Sequence, residues 1–133
     1  MLITRLWSRL DIFSNARPAQ AQQGIYSTEE FRALLEYERA RVDRNGHEFS
    51  LIVFDVGKGR HNGRLMPTIA RRVRCTDVIG WFDERGLGVF LPETPSAGAS
   101  KLANDLCQLI DLPMNSSSFR IYTYPSEWYH HAS

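Results

Sequence analysis

Residues 49–56 read FSLIVFDV, from Phe49 to Val56, a nearly continuous apolar run in which β-branched and aromatic side chains predominate. A run this short has the length of a strand rather than a helix. The near absence of polar alternation marks a strand that is buried on both faces. Its one acid, Asp55, stands at the C-terminal mouth of what must be a central strand.

Working outward from this strand, the upstream segment opens with Ser27 and Glu30 at capping-box spacing. Phe31, Leu34, Leu35 and Val42 then recur on one helical face until Asn45-Gly46 stops the helix. Downstream, Gly57 to Gly63 (GKGRHNG) reads as a loop, and Leu65, Met66, Ile69 and Val73 mark a second helix. Asp77–Phe82 and Leu87–Leu91 are two short strands around the turn Asp83-Glu84-Arg85-Gly86, in which Gly86 is expected to take the left-handed conformation. Thr94 and Pro95 read as the N-cap and first residue of a third helix, which carries Ala99, Leu102, Ala103, Leu106 and Ile110 to Leu112-Pro113. Phe119–Tyr124 (FRIYTY) alternates as a last strand, and Pro125 ends it. From Phe49 onward the order is strand, helix, strand, strand, helix, strand. The fold class is therefore α+β, a ferredoxin-like βαββαβ arrangement: an antiparallel sheet with helices on one face and a long helix added in front.

A chain of 133 residues fits one ordinary domain. Its composition, 43% hydrophobic and 23% charged with 11% aromatics, is that of a globular protein and not of a disordered one. Leu2, Leu6, Leu10 and Phe13 recur at helical spacing, so residues 1–23 read as an amphipathic helix and polar linker. Residues 24–126 form the domain, and 127–133 a tail. There is no run of 18 apolar residues and no secretory signal, which places the protein in the cytoplasm. Cys75 and Cys107 lack C-x-x-C spacing and read as reduced, structural thiols. His47, His61, His130 and His131 lack partners at metal-ligand spacing, so no metal or cofactor is expected.

The formal net charge of +1 excludes a tail-driven nucleic-acid binder, but it conceals two things. Of the 16 cationic residues 14 are Arg, the side chain suited to planar, bidentate recognition of phosphate, carboxylate and guanine edges. The neutrality is also a cancellation between segments. Lys58, Arg60, Arg64, Arg71, Arg72 and Arg74 follow one another with no acid between, whereas the preceding helix is rich in acids, among them Glu36, Glu38 and Asp43.

The stretch from Asp77 to Thr94, DVIGWFDERGLGVFLPET, resembles the signature hairpin of the GGDEF (diguanylate cyclase) family, of the form D-V-x-x-R-x-G-G-D-E-F-x-x-x-L-P-x-T, and aligns with it without a gap. The helix leading into FSLIVFDV and the A-x-x-L-A-x-x-L-x-x-x-I pattern from Ala99 to Ile110 resemble the flanking elements of that family, whose core has the same ferredoxin-like order. The resemblance implies a signalling domain of the bacterial cytoplasm. It also shows where the chain departs. Asp83 and Glu84 replace the two glycines, Arg85 replaces the acid that holds magnesium, Gly86 replaces the catalytic glutamate, and Leu87 replaces the Phe. Asp55 aligns with the first acid of the family's metal site, but the second aligns with Gly57. The span from Asp55 to Arg74, 19 positions, is shorter than the family's and lacks its substrate-recognition elements.

A two-metal phosphoryl-transfer site needs acidic oxygens at close range. A guanidinium at position 85 opposes that, so the expectation is a catalytically inactive domain in which Arg85 forms an ion pair with Asp55 in place of the metal. Arg74-Cys75-Thr76-Asp77 stands where the family carries its R-x-x-D inhibitory site for cyclic di-GMP. A guanidinium and a carboxylate at that spacing suit guanine or phosphate. Two binding readings follow, a cyclic di-GMP receptor through Arg74 and Asp77 or a nucleotide-independent module for a protein partner or self-association. An unconventional active cyclase is the third. Trp81, where the family has Arg, is expected to pack against a neighbour rather than stack on a base.

Overall fold

The structure, a computed structural model, describes residues 25–57, 65–109 and 118–128. The expected N-terminal amphipathic helix and linker, most of the loop expected from Gly57 to Gly63, the expected end of the third helix with Leu112-Pro113, and the end of the tail lie outside the described residues.

The first helix, α1 (Thr28–Asn45), carries the capping box in full: Ser27 Oγ accepts from Glu30 N–H at 3.1 Å, and Glu30 Oε1 accepts from Ser27 N–H at 3.0 Å. At its other end Gly46 sits at φ 79°, where its N–H reaches Val42 O. The strand β1 (Phe49–Asp55) follows, then α2 (Leu65–Arg72), β2 (Val78–Trp81), β3 (Gly86–Pro92), α3 (Ser96–Leu109) and β4 (Phe119–Tyr124). The sheet order is β2-β3-β1-β4, and every neighbouring pair is antiparallel. This is the ferredoxin-like order, with β1 at its centre.

The two faces of the sheet carry separate cores. Ile52, Phe54, Leu87, Val89 and Leu91 meet Leu65 and Ile69 of α2 and Ala99, Ala103 and Leu106 of α3. Phe49, Leu51, Val53, Val78 and Phe90 meet Phe31, Leu34, Leu35 and Val42 of α1. The expectation of helices on one face thus holds for α2 and α3, while the added helix closes the opposite face. The apolar run of β1 requires this, since consecutive side chains point to alternate faces. Phe31 seats its ring over the backbone of Gly80 and Gly88, where a Cβ would collide with it. Ser50, the one polar residue of the strand besides Asp55 at its end, is fully buried, and its hydroxyl bonds Thr94 O at 2.7 Å and Thr123 Oγ1 at 2.9 Å.

The hairpin differs from expectation at Gly86, which does not adopt a positive φ; among the described glycines only Gly46 and Gly57 do. Gly86 is already the first residue of β3, and the reversal is made by Asp83. Its Oδ1 accepts from the N–H groups of Arg85 (2.9 Å) and Gly86 (2.6 Å), an Asx-type turn. Glycine is needed here for space: a Cβ would stand 2.7 Å from Val53 Cγ1 and 2.9 Å from Asp83 Oδ1. The third helix starts at Ser96, one residue later than expected, because the Thr94 hydroxyl turns back to Pro92 O at 2.9 Å instead of capping it. Cys107 is buried in the α3 core, where desolvation pushes its thiol upward, whereas Cys75 is exposed in the turn before β2; both are free. Trp81 packs against the α2/α3 core, as expected of a strand residue.

One carboxylate is buried on α1. Glu38 accepts from Arg41 Nη1 at 3.3 Å through each oxygen, but burial outweighs that guanidinium and raises its pKa above the ordinary carboxylate value. The folded chain therefore binds this proton more tightly than the unfolded chain. Stability from this group is greatest below the unfolded pKa and is lost as pH rises toward the folded one. Glu38→Gln should flatten that slope, which urea midpoints at about pH 4 and about pH 7 will read. An unchanged slope would assign the proton elsewhere.

Candidate functional site

The register places four of the aligned positions at one end of the sheet. Asp55 ends β1 directly opposite Gly86, the first residue of β3. The backbone locks this end on both sides: Val56 N–H donates to Arg85 O at 2.8 Å and Asp55 N–H to Ser118 O at 2.9 Å. Asp55 Oδ1 accepts from Gly57 N–H at 2.9 Å, an arrangement helped by the positive φ of Gly57. Arg85 Nη2 approaches the same Oδ1 at 3.5 Å. The expected ion pair is therefore present, between side chains 58% and 44% exposed, and a pair so hydrated contributes at most about 1 kcal/mol.

These groups line a cleft of about 320 Å³, walled by Val53, Asp55, Asp83, Arg85, Gly86, Phe119 and Arg120. Arg120, not singled out for this place by sequence, faces Val53 across β4, on the α1 face of the sheet. The alternation of FRIYTY puts it there with Tyr122 and Tyr124, and only the pairing of β4 with β1 reveals that this face meets Asp55. Glu84 is exposed at the tip of the turn and takes no part in the wall. The donor set does not suit Mg²⁺. Asp83 Oδ1 is held by two backbone N–H groups, Asp55 Oδ1 by another, and the Arg85 guanidinium lies 3.5 Å from that same Asp55 oxygen. Among the described residues no group of three or more His, Cys, Asp and Glu is placed to hold a metal.

Arg74 and Asp77 lie at the other end of β3, beside Val78, whose partner is Phe90. They close a tight turn between α2 and β2. Asp77 Oδ2 accepts from Arg74 N–H at 2.8 Å, Asp77 N–H donates to Arg74 O at 3.0 Å, and Arg74 Nη2 reaches Asp77 Oδ1 at 3.2 Å. The same guanidinium donates to Thr94 Oγ1 at 3.0 Å and Pro92 O at 3.4 Å, tying the turn to the link between β3 and α3. The Asp77 side chain is only 2% exposed, that of Arg74 60%. Of the other arginines, Arg72 pairs with Asp105 at 3.5 Å, and Arg120 sits on β4, at the opposite edge of the sheet from β2.

No model of a known protein family matches the sequence, and no curated protein matches it. Solved structures do match the fold. A DGC protein from Thermotoga maritima superposes with a TM-score of 0.62 at 16% identity, over 78% of this chain and 85% of that one. The isolated GGDEF domain of a Pseudomonas aeruginosa protein gives 0.59 at 14%, over 76% and 72%. A sensory box/GGDEF family protein from Caulobacter crescentus gives 0.59 at 14%, over 79% and 82%. The chain has a GGDEF-like fold, an α+β domain with a four-stranded antiparallel sheet. No helix among the described residues is long and apolar enough to cross a membrane.

Proposed function

We propose that this domain of GGDEF-like fold is a non-catalytic signalling module that works by binding a protein partner or a second copy of itself, independently of nucleotide. The observation that carries the first half of this reading is the guanidinium of Arg85 on Asp55. A magnesium ion takes carboxylate oxygens at about 2.0–2.1 Å with near-octahedral geometry. Here Gly57 stands where the resemblance expects the second acid and Arg85 where it expects the acid of the hairpin, so both the ligand count and the electrostatics oppose metal-assisted phosphoryl transfer. Incubation with GTP and Mg²⁺ should yield no cyclic di-GMP above a protein-free control. Product formation would overturn the reading.

The second half rests on how Arg74 and Asp77 are used. A carboxylate that reads the N1 and N2 hydrogens of guanine needs open lone pairs, and those of Asp77 are buried and already bonded to the Arg74 backbone and side chain. One observation favours the receptor reading: the Arg74 side chain remains 60% exposed, so its guanidinium can meet a phosphate while Asp77 merely orients it. Titration calorimetry with cyclic di-GMP separates the two. The interaction-module reading expects no heat from the wild-type protein, while saturable heat that Arg74→Ala abolishes would establish the receptor.

A further inference from the structure

The outer surface of α2 and α3 carries a row of cations. Arg71 and Arg72 close the last turn of α2, Arg74 follows in the turn to β2, and Lys101 stands on α3; all of them are exposed. Against them the two helices set a single acid, Asp105, because LMPTIARR contains none and SAGASKLANDLCQL only this one. Asp77 is buried beneath Arg74, and Glu93 lines a separate cleft with Glu38 and Arg41 of α1. Leu65 and Ile69 of α2 and Ala99, Ala103 and Leu106 of α3 turn toward the sheet, so the cations occupy the face away from it.

Two of the guanidiniums are already held in place. Arg74 is fixed to Asp77, Thr94 and Pro92, just before α3 begins at Ser96. Arg72 reaches Asp105 at 3.5 Å, farther along the same helix by about 14 Å of helical rise. Lys101 falls between them, one turn before Asp105 and on the same side of α3. The side chains of Arg74 and Arg72 nevertheless remain 60% and 43% exposed, so donors of both planar forks still face solvent. A guanidinium oriented before binding loses little freedom when a carboxylate arrives. The first turn of α3, which contains no acid, adds its partial positive charge at the Arg74 end.

We propose that this face of α2 and α3 docks an acidic segment of a protein partner, its carboxylates received by Arg74 and Arg72 and flanked by Arg71 and Lys101. The inference rests on the reading of the domain as a protein-binding module and names the chemistry of the partner. Asp105, in the middle of the row, separates such a partner from a polyanion. Nucleic acid or an acidic membrane presents phosphate at every step and would set one against that carboxylate, and a chain with a net charge of +1 has little long-range attraction for either. A polypeptide can place a polar or basic side chain opposite Asp105 and its acids on either side.

The test is an NMR titration of the full chain with an oligoglutamate peptide. Amide shifts should gather at Arg71, Arg72, Arg74 and Lys101, and the charge reversals Arg71→Glu and Lys101→Glu together should weaken binding about tenfold or more. The same change in net charge made on α1, by Arg32→Glu with Arg44→Glu, should leave the affinity within about twofold, and so should Arg71→Lys with Lys101→Arg. A peptide that does not bind, shifts that gather elsewhere, or equal losses from the two double reversals overturn the proposal. So does tighter binding to phosphatidylserine vesicles or to duplex DNA than to the peptide. Such a failure leaves the protein-partner reading itself to the incubation with GTP and the titration with cyclic di-GMP, which read it independently of the peptide.

Discussion

Phe31→Ala is expected to cost about 3–5 kcal/mol, the range for removing a fully buried aromatic ring. Phe31 is 0% exposed, and its ring sits directly on the sheet, in the space left by two strand glycines. The loss should therefore be diagnostic in a second background. Gly88→Ala alone should destabilise by about 1–3 kcal/mol, because the new methyl would stand 2.6 Å from Phe31 Cε2. With the ring gone that clash disappears, and the same substitution should cost at least about 1 kcal/mol less. Urea unfolding of the two single variants and the double variant measures the coupling. Strict additivity would mean that the ring does not rest on Gly88.

The second large effect is expected at Asp77. Asp77→Ala removes a buried carboxylate that satisfies both the backbone N–H and the guanidinium of Arg74, and should cost about 2–3 kcal/mol. Arg74→Ala should cost about 1 kcal/mol or less, since that side chain is mostly exposed and leaves the backbone bond in place. The asymmetry is the point. A pair held in reserve for a ligand would leave stability nearly indifferent to either change, whereas a pair that builds a turn makes the buried member indispensable. Equal and small losses would move Asp77 from the architecture to the binding surface.

Much of this architecture is legible along the chain because its elements are locally consistent. Ser27 with Glu30 and Asn45-Gly46 bracket α1 to the residue, and FRIYTY alternates as the strand it forms. The nearly continuous apolar run of β1 implies burial on both sides, yet which helix covers which face is a tertiary fact that spacing cannot express. Gly86 shows a different limit. A glycine in a turn suggests conformational freedom, but this one is present because Val53 and Asp83 leave no room for a side chain, a constraint set by a strand more than thirty residues away. The pairing of Asp55 with Arg85 could be expected from register, because a hairpin and its neighbouring strand fix who stands opposite whom. Arg120 could not, since its place in the cleft depends on β4 joining the sheet beside β1 rather than beside β2. Asp77 was recognisable as an acid in a motif, while its burial and its bonds to Arg74 depend on the turn that encloses it.

The central position of β1 also governs how the domain can come into being. Its two hydrogen-bonded neighbours are β3 and β4, and the second is made roughly seventy residues after it. During synthesis this most apolar strand precedes its last partner, and in the interval its faces are covered by the three helices while one of its edges stays unpaired. Assembly should accordingly be slow for a domain of this size, with the sheet completed only when β4 is free to enter. Until then the unpaired side of β1 is the surface most open to misassociation, and the interval in which a chaperone would be of most use.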